Sequence, residues 1–94
     1  MARVVIRREV VEEGELDLVP LAKLKEALRL LEKEPERGKP LKRALAGCRS
    51  MRIGGSENRL VYRVLTTSSE AIVEVLAIER RRESEVYDIA ERRV

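Results

Sequence analysis

Arg52 and Arg59 flank the segment Gly54-Gly55-Ser56-Glu57-Asn58, Arg80, Arg81 and Arg82 close an apolar run, and Tyr87 follows Ser84 at a spacing of three. Guanidinium groups match phosphate oxygens bidentately and keep their charge at any working pH. A tyrosine beside such a cluster can hydrogen-bond or, with its phenolate stabilised by the cations, accept a proton. The chemistry open to this set is the holding of a phosphate and the steering of a proton next to it. The chain has no histidine, which excludes Ser-His and Cys-His nucleophilic catalysis and a histidine general base. Asp, Glu, Lys and Tyr remain for proton transfer, with Arg as electrostatic partner. A single cysteine, Cys48, supports neither a disulfide framework nor a zinc cluster; it reads as a small buried apolar residue. No metal and no cofactor are expected.

The net charge of +3 over 94 residues conceals an uneven distribution. Between residues 39 and 63 stand seven basic side chains, Lys39, Lys42, Arg43, Arg49, Arg52, Arg59 and Arg63, against one acidic one, Glu57. Such a stretch reads as a phosphate-binding surface or, more plainly, as the solvated face of a small protein. With two tyrosines and neither Phe nor Trp, the aromatic interleaving that stacks bases is nearly absent. A chain with 44% hydrophobic and 39% charged residues can build one small core, so residues 1–94 are expected to form a single domain. The longest uncharged run, Val64 to Ser69, is too short to cross a bilayer, and the first residues lack a cleavable signal pattern. A cytoplasmic location and no membrane partner follow as expectations.

To bring the arginines and Tyr87 together, the elements between them must fold back on one another. Val4-Val5-Ile6 suits a buried strand. Residues 7 to 17 are ambiguous: Arg7 to Glu13 can be helical, and Gly14 weakens a helix interior. Pro20 fits the first turn of a helix with Leu21, Leu24, Leu28 and Leu31 on one face. Pro35, Gly38 and Pro40 end that helix and begin a connector. From Cys48 to Ile53 the period is two, with Cys48, Ser50 and Arg52 on one side and Arg49, Met51 and Ile53 on the other. Gly54 to Asn58 predicts a turn, and Arg59 to Leu65 an antiparallel return strand. Thr66 to Glu70 predicts a second turn and Ile72 to Ile78 a third, mostly buried strand. Ser84 fits an N-cap, with Glu85 in the first turn and Val86, Ile89 and Ala90 facing inward. The expected fold class is α+β: an N-terminal strand, one or two helices, an antiparallel three-stranded meander and a short C-terminal helix.

Lys39-Pro40-Leu41-Lys42, Cys48-Arg49-Ser50-Met51-Arg52-Ile53, Asn58-Arg59-Leu60-Val61-Tyr62-Arg63-Val64, Val75-Leu76-Ala77-Ile78 with Arg81, and Ser84-Glu85-Val86-Tyr87 resemble the RelE/ParE toxin superfamily, most strongly its RelE branch. The resemblance spans roughly the last 55 to 60 residues in register, and the N-terminal third agrees in element order. It implies a RelE-like, microbial-RNase-like fold and the toxin of a type II toxin–antitoxin system. The implied activity is an endoribonuclease that enters the ribosomal A site, cuts the bound mRNA and inhibits translation. In that family the RNA's own 2′-hydroxyl attacks the adjacent phosphate, so neither a metal nor a protein nucleophile is required, in keeping with a histidine-free chain.

Carried over by position, Arg59 and Arg81 would hold the scissile phosphate and its transition-state charge. Tyr87 would orient or deprotonate the 2′-hydroxyl, and Arg52 matches a basic strand residue of the family. Ser50 stands where the family has a second basic residue, so one positive charge is missing there. The residues before Arg81 also differ, Glu79-Arg80 replacing a Gly followed by His or Lys. Lys39, Lys42, Arg43, Arg49, Arg63, Arg80 and Arg82 would contact RNA and ribosomal phosphate. The implied partners are a cognate antitoxin, in a hetero-oligomer, and the ribosome with its rRNA and mRNA.

Plainer readings stand beside these. Tyr87 can be a packing residue of the last helix, sharing a face with Ala90 and Val94, and Tyr62, on the face of Leu60 and Val64, reads as core. Glu79 is an exposed glutamate at a strand end, a partner that holds Arg52 or Arg81, or a base. For the whole chain the alternatives on the same fold are a ParE-like inhibitor of DNA gyrase, acting by protein binding, and a non-catalytic binding relative.

Overall fold

In the computed structural model the described residues are 2–53, 58–80 and 83–94, with the side chains of Arg80, Glu83, Ser84 and Glu85 outside the description. Residues 54–57 of the turn expected over Gly54 to Asn58, the expected phosphate ligand Arg81, and Arg82 therefore lie outside the described residues, and Asn58 begins a strand instead of ending the turn. Along the chain run β1 (Arg3–Ile6), α1 (Arg8–Glu12), a 3₁₀ turn (Glu15–Leu18), α2 (Leu21–Lys33) and β2 (Lys39–Pro40). A second 3₁₀ turn (Arg43–Leu45), β3 (Cys48–Arg52), β4 (Asn58–Thr66), β5 (Ala71–Arg80) and α3 (Glu83–Arg93) complete it. The strands form one sheet in the order β1-β5-β4-β3-β2, with β1 parallel to β5 and the other pairs antiparallel.

The α+β class, the β3-β4-β5 meander and the C-terminal helix agree with the sequence reading, while several boundaries differ for local reasons. Gly14 has φ 71, a conformation glycine adopts freely, and it ends α1 after little more than one turn. Pro20 precedes α2 as its N-cap residue with ψ 136, and its carbonyl accepts the Lys23 and Leu24 amides. Leu24, Ala27 and Leu31 are buried, whereas Leu21 is 65% exposed because it sits on the opening turn, outside the core. Val4-Val5-Ile6 forms an edge strand and not a buried one: Val4 and Ile6 pack on the core and Val5 points to the other face, exposed. The connector contains the short strand β2, a position that tolerates Pro40 because an edge strand does not need every N–H. Ser84 lies inside α3, which starts one residue earlier.

Two apolar layers result. Leu24, Leu31, Leu60, Tyr62, Val73 and Ile78 belong to the core between α2 and the sheet. On the opposite face Leu45, Cys48, Val61, Leu76, Val86 and Ala90 join the sheet to α3. Fully burying a Leu, Ile or Val side chain contributes about 1.5–3 kcal/mol, so each layer is a substantial stabilising term for so small a chain.

The alternation along β5 is broken once. Val61 pairs with Ala77 and Tyr62 with Val75, so Leu76 has no partner in β4. This is a β-bulge, which reverses the facing of every later residue in the strand. Val73 and Val75 belong with Ile78 to the α2 layer, and Leu76 and Ala77 both belong to the α3 layer.

Candidate active site

On β3 the alternation runs as the sequence indicates. Cys48 and Ser50 are buried toward α3, and Arg52, two residues on, shares their face and is exposed. Arg49 projects to the opposite face, where its Nη1 donates to the carbonyls of Glu36 and Gly38 at 3.1 and 2.8 Å. Arg49 thus ties down the segment after α2, away from the face carrying Arg52. Arg63 is also engaged: its Nε lies 2.6 Å from Glu74 Oε1 on the neighbouring strand.

Register builds the centre of the site. Arg52 stands opposite Arg59, and Arg59 stands opposite Glu79, so one row across three strands reads Arg-Arg-Glu. Directly opposed residues in a sheet share a face, and opposite charges in such positions attract. Arg59 and Glu79 are half-buried, so Glu79 is not the fully exposed glutamate of its plainest reading. It reaches this face only because of the bulge at Leu76; strict alternation from Val73 and Val75 would have turned it toward α2. Among the described residues Lys39, Lys42, Arg43 and Arg52 form no ion pair and are exposed. Their charge is left available to an anionic ligand.

Tyr87 comes from the first turns of α3 and is half-buried. Its hydroxyl lies 3.2 Å from Ser50 Oγ, so the tyrosine hydroxyl is held over the same sheet face that carries Arg52 and Arg59. Tyr87 also lines a cavity of about 400 Å³ with Leu41, Lys42, Arg43, Ala44, Leu45 and Glu91. A further cleft of about 710 Å³, which shares Glu91 with the first, is lined by Glu79, Asp88, Ile89, Glu91 and Arg92. The packing reading of Tyr87 is partly met by its contacts in the α3 layer, although Val94 is exposed.

Two residues outside this face are absent from any sequence-based candidate set, yet they frame it. Arg93 and Glu15, 7% and 6% exposed, form a buried pair with Nη2 to Oε2 at 2.6 Å and Nη1 to Oε1 at 3.1 Å. Arg93 Nη1 donates to the Leu76 carbonyl at 2.8 Å, and Glu15 Oε1 accepts the Ile78 amide at 2.9 Å. The pair therefore satisfies the carbonyl of the bulged residue and the amide two residues beyond it. Burial works against the Arg93 charge, but the hydrogen bond and field of Glu15 outweigh it and raise the guanidinium pKa. A spacing of 78 residues leaves no local signal for this pair. Cys48 is buried as expected, and burial pushes its thiol pKa up, away from nucleophilic use.

The family described as the ParE toxin of type II toxin–antitoxin systems, parDE, matches residues 19–85. Among solved structures, an arginine double mutant of the E. coli toxin RelE in the free state superposes with a TM-score of 0.73 at 23% identity, covering 100% of this chain and 99% of that one. The YoeB/ParE toxin from Agrobacterium tumefaciens gives 0.65 at 27% identity, covering 85% of this chain and 99% of its own. The RelE mutant in complex with a RelBc antitoxin peptide gives 0.65 at 22% identity over 95% and 93% of the two chains. No curated protein matches the chain. The RelE structures share the fold, and the family match extends across α2, the whole meander and the start of α3. The chain accordingly belongs to the ParE toxin family of type II toxin–antitoxin systems, within the RelE/ParE superfamily.

Proposed function

We propose that this toxin is a metal-independent endoribonuclease that cleaves mRNA in the ribosomal A site. The observation that carries the reading is the placement of the Tyr87 hydroxyl over the sheet face that bears Arg52 and Arg59. A phosphate seated on the arginines would bring the 2′-hydroxyl of its own nucleotide to the tyrosine. Tyr87 orients that hydroxyl or takes its proton, the oxygen attacks the adjacent phosphorus to form a 2′,3′-cyclic phosphate, and the bond to the 5′-oxygen of the next nucleotide breaks, that oxygen taking a proton from solvent to leave as a 5′-hydroxyl. Arg59, with Arg81, stabilises the charge that builds on the phosphorane, and Arg52 holds the backbone. The exposed Lys39, Lys42 and Arg43 supply general attraction to RNA phosphate, whereas Arg49 and Arg63 serve the fold.

The test is incubation of purified toxin with programmed ribosomes, followed by mapping of mRNA 5′ ends. Cleavage within the A-site codon is expected, with Arg59→Ala lowering the rate about 10²–10³-fold, the range for loss of one oxyanion-stabilising group. Message left intact at high toxin excess would overturn the reading. A second reading, inhibition of DNA gyrase by protein binding, is favoured by the matching family being that of ParE toxins; a supercoiling assay separates the two. The partner in either case is a cognate antitoxin, by analogy with the RelE–RelBc peptide complex. Its segment would cover the basic face, in a hetero-oligomer.

A further inference from the structure

We propose that Ser50 is a positioning residue for Tyr87, donating its hydroxyl proton to the phenol oxygen so as to hold the ring against the sheet and favour the phenolate. The catalytic consequence rests on the nuclease reading above; the effect on the phenol itself does not.

Ser50 is 1% exposed, and its Oγ lies 3.2 Å from Tyr87 Oη. A hydroxyl removed from water needs a partner, and this contact provides it. While both groups are neutral, either can donate. Once Tyr87 has lost its proton only Ser50 can, and a hydrogen bond to a charged acceptor is about twice as strong as a neutral one. The contact therefore stabilises the ionised form more than the neutral form.

The other groups facing Tyr87 set the background for this effect. Lys42 and Arg43, from the 3₁₀ turn, and Glu91, from its own helix, line the cavity beside it, with Leu41 and Leu45 opposing ionisation. The sheet face beneath α3 bears Cys48, Arg52, Arg59 and Glu79. None of these is altered by a change at Ser50, so the comparison isolates one hydroxyl.

The chain offers a clean readout because it has two tyrosines and no Trp. Tyr62 is fully buried, and burial pushes its phenol up. Near-ultraviolet absorbance follows phenolate formation as pH rises, and Tyr87→Phe identifies the step that belongs to Tyr87. Ser50→Ala is expected to move its midpoint up by about one pH unit, and Ser50→Thr, which keeps the hydroxyl, to leave it near the wild-type value. Circular dichroism confirms that each variant is folded at the pH of the comparison. An unchanged midpoint in Ser50→Ala overturns the proposal. In the ribosome assay Ser50→Ala should lower kcat about tenfold, with KM unchanged, and shift the alkaline rise of the rate by the same interval. Wild-type toxin that never cleaves, while the midpoint still shifts, sinks the nuclease reading and leaves the role of Ser50 standing. Cleavage by Ser50→Ala with an unaltered pH profile sinks the role of Ser50 alone.

Discussion

The two tyrosines show how one side-chain type serves two ends. Tyr62 Oη accepts the Gly38 amide at 2.8 Å and donates to the Pro35 carbonyl at 2.7 Å, clamping the segment after α2 onto the sheet. A Cβ on Gly38 would lie 2.8 Å from that same oxygen and 2.9 Å from the Ser50 carbonyl, so only glycine fits there. Tyr62→Phe leaves a buried N–H without its partner and should cost about 1–3 kcal/mol, read as a lower urea midpoint at unchanged m. Burial raises the Tyr62 pKa above its ordinary 10.0. The folded chain then keeps a proton that the unfolded chain loses, so stability is full below pH 10.0 and falls as pH rises through the raised folded value. Urea midpoints measured across that range should decline in the wild type and stay flatter in Tyr62→Phe. Strand alternation placed Tyr62 in the core from its neighbours alone. Nothing in the alternation of β3 could show that Ser50 meets Tyr87, 37 residues away.

At the scale of elements the decisive feature is the bulge in β5. It puts Glu79 in the row with Arg59 and Arg52, and the Glu15–Arg93 pair, bonded to Leu76 and Ile78, holds it while fastening the end of α3 to the turn after α1. Arg93→Met would strand a buried carboxylate and should destabilise by about 3–5 kcal/mol in thermal or urea unfolding. Glu15→Leu combined with Arg93→Met should recover part of that loss, but not all, because the Ile78 amide and the Leu76 carbonyl would still lack partners. A double-mutant cycle reads the coupling directly, and strict additivity of the two single changes would refute a shared pair. α2, α3 and the meander were legible from apolar patterning, capping and turn residues, whereas α1 was not, since residues 7 to 17 could be read two ways. The bulge was not, because Ile72 to Ile78 is apolar at nearly every position and carries no alternation to be broken.

For the whole molecule the question is where the charge ends up. The basic stretch from Lys39 to Arg63 is divided by the fold: Arg49 and Arg63 are spent on internal contacts, while Lys39, Lys42, Arg43 and Arg52 stay exposed without acidic partners among the described residues. Binding to a single-stranded RNA should weaken with salt, and Lys42→Ala or Arg43→Ala should each reduce the log–log slope by about 0.7 if its charge meets a phosphate. Arg49→Ala should leave that slope unchanged and lower stability instead, a contrast that fluorescence anisotropy at several ionic strengths can measure. By itself the sequence determined the α+β order, the facing of each residue in β3 and the lack of histidine chemistry, since these rest on local spacing and composition, and its motifs carried the resemblance to the RelE/ParE superfamily. The tertiary structure alone decided that Ser50 touches Tyr87, that Glu79 joins the arginine row, and that Glu15 pairs with Arg93. These contacts depend on how strands register and helices dock, and long-range packing, unlike periodicity, leaves no mark on neighbouring residues.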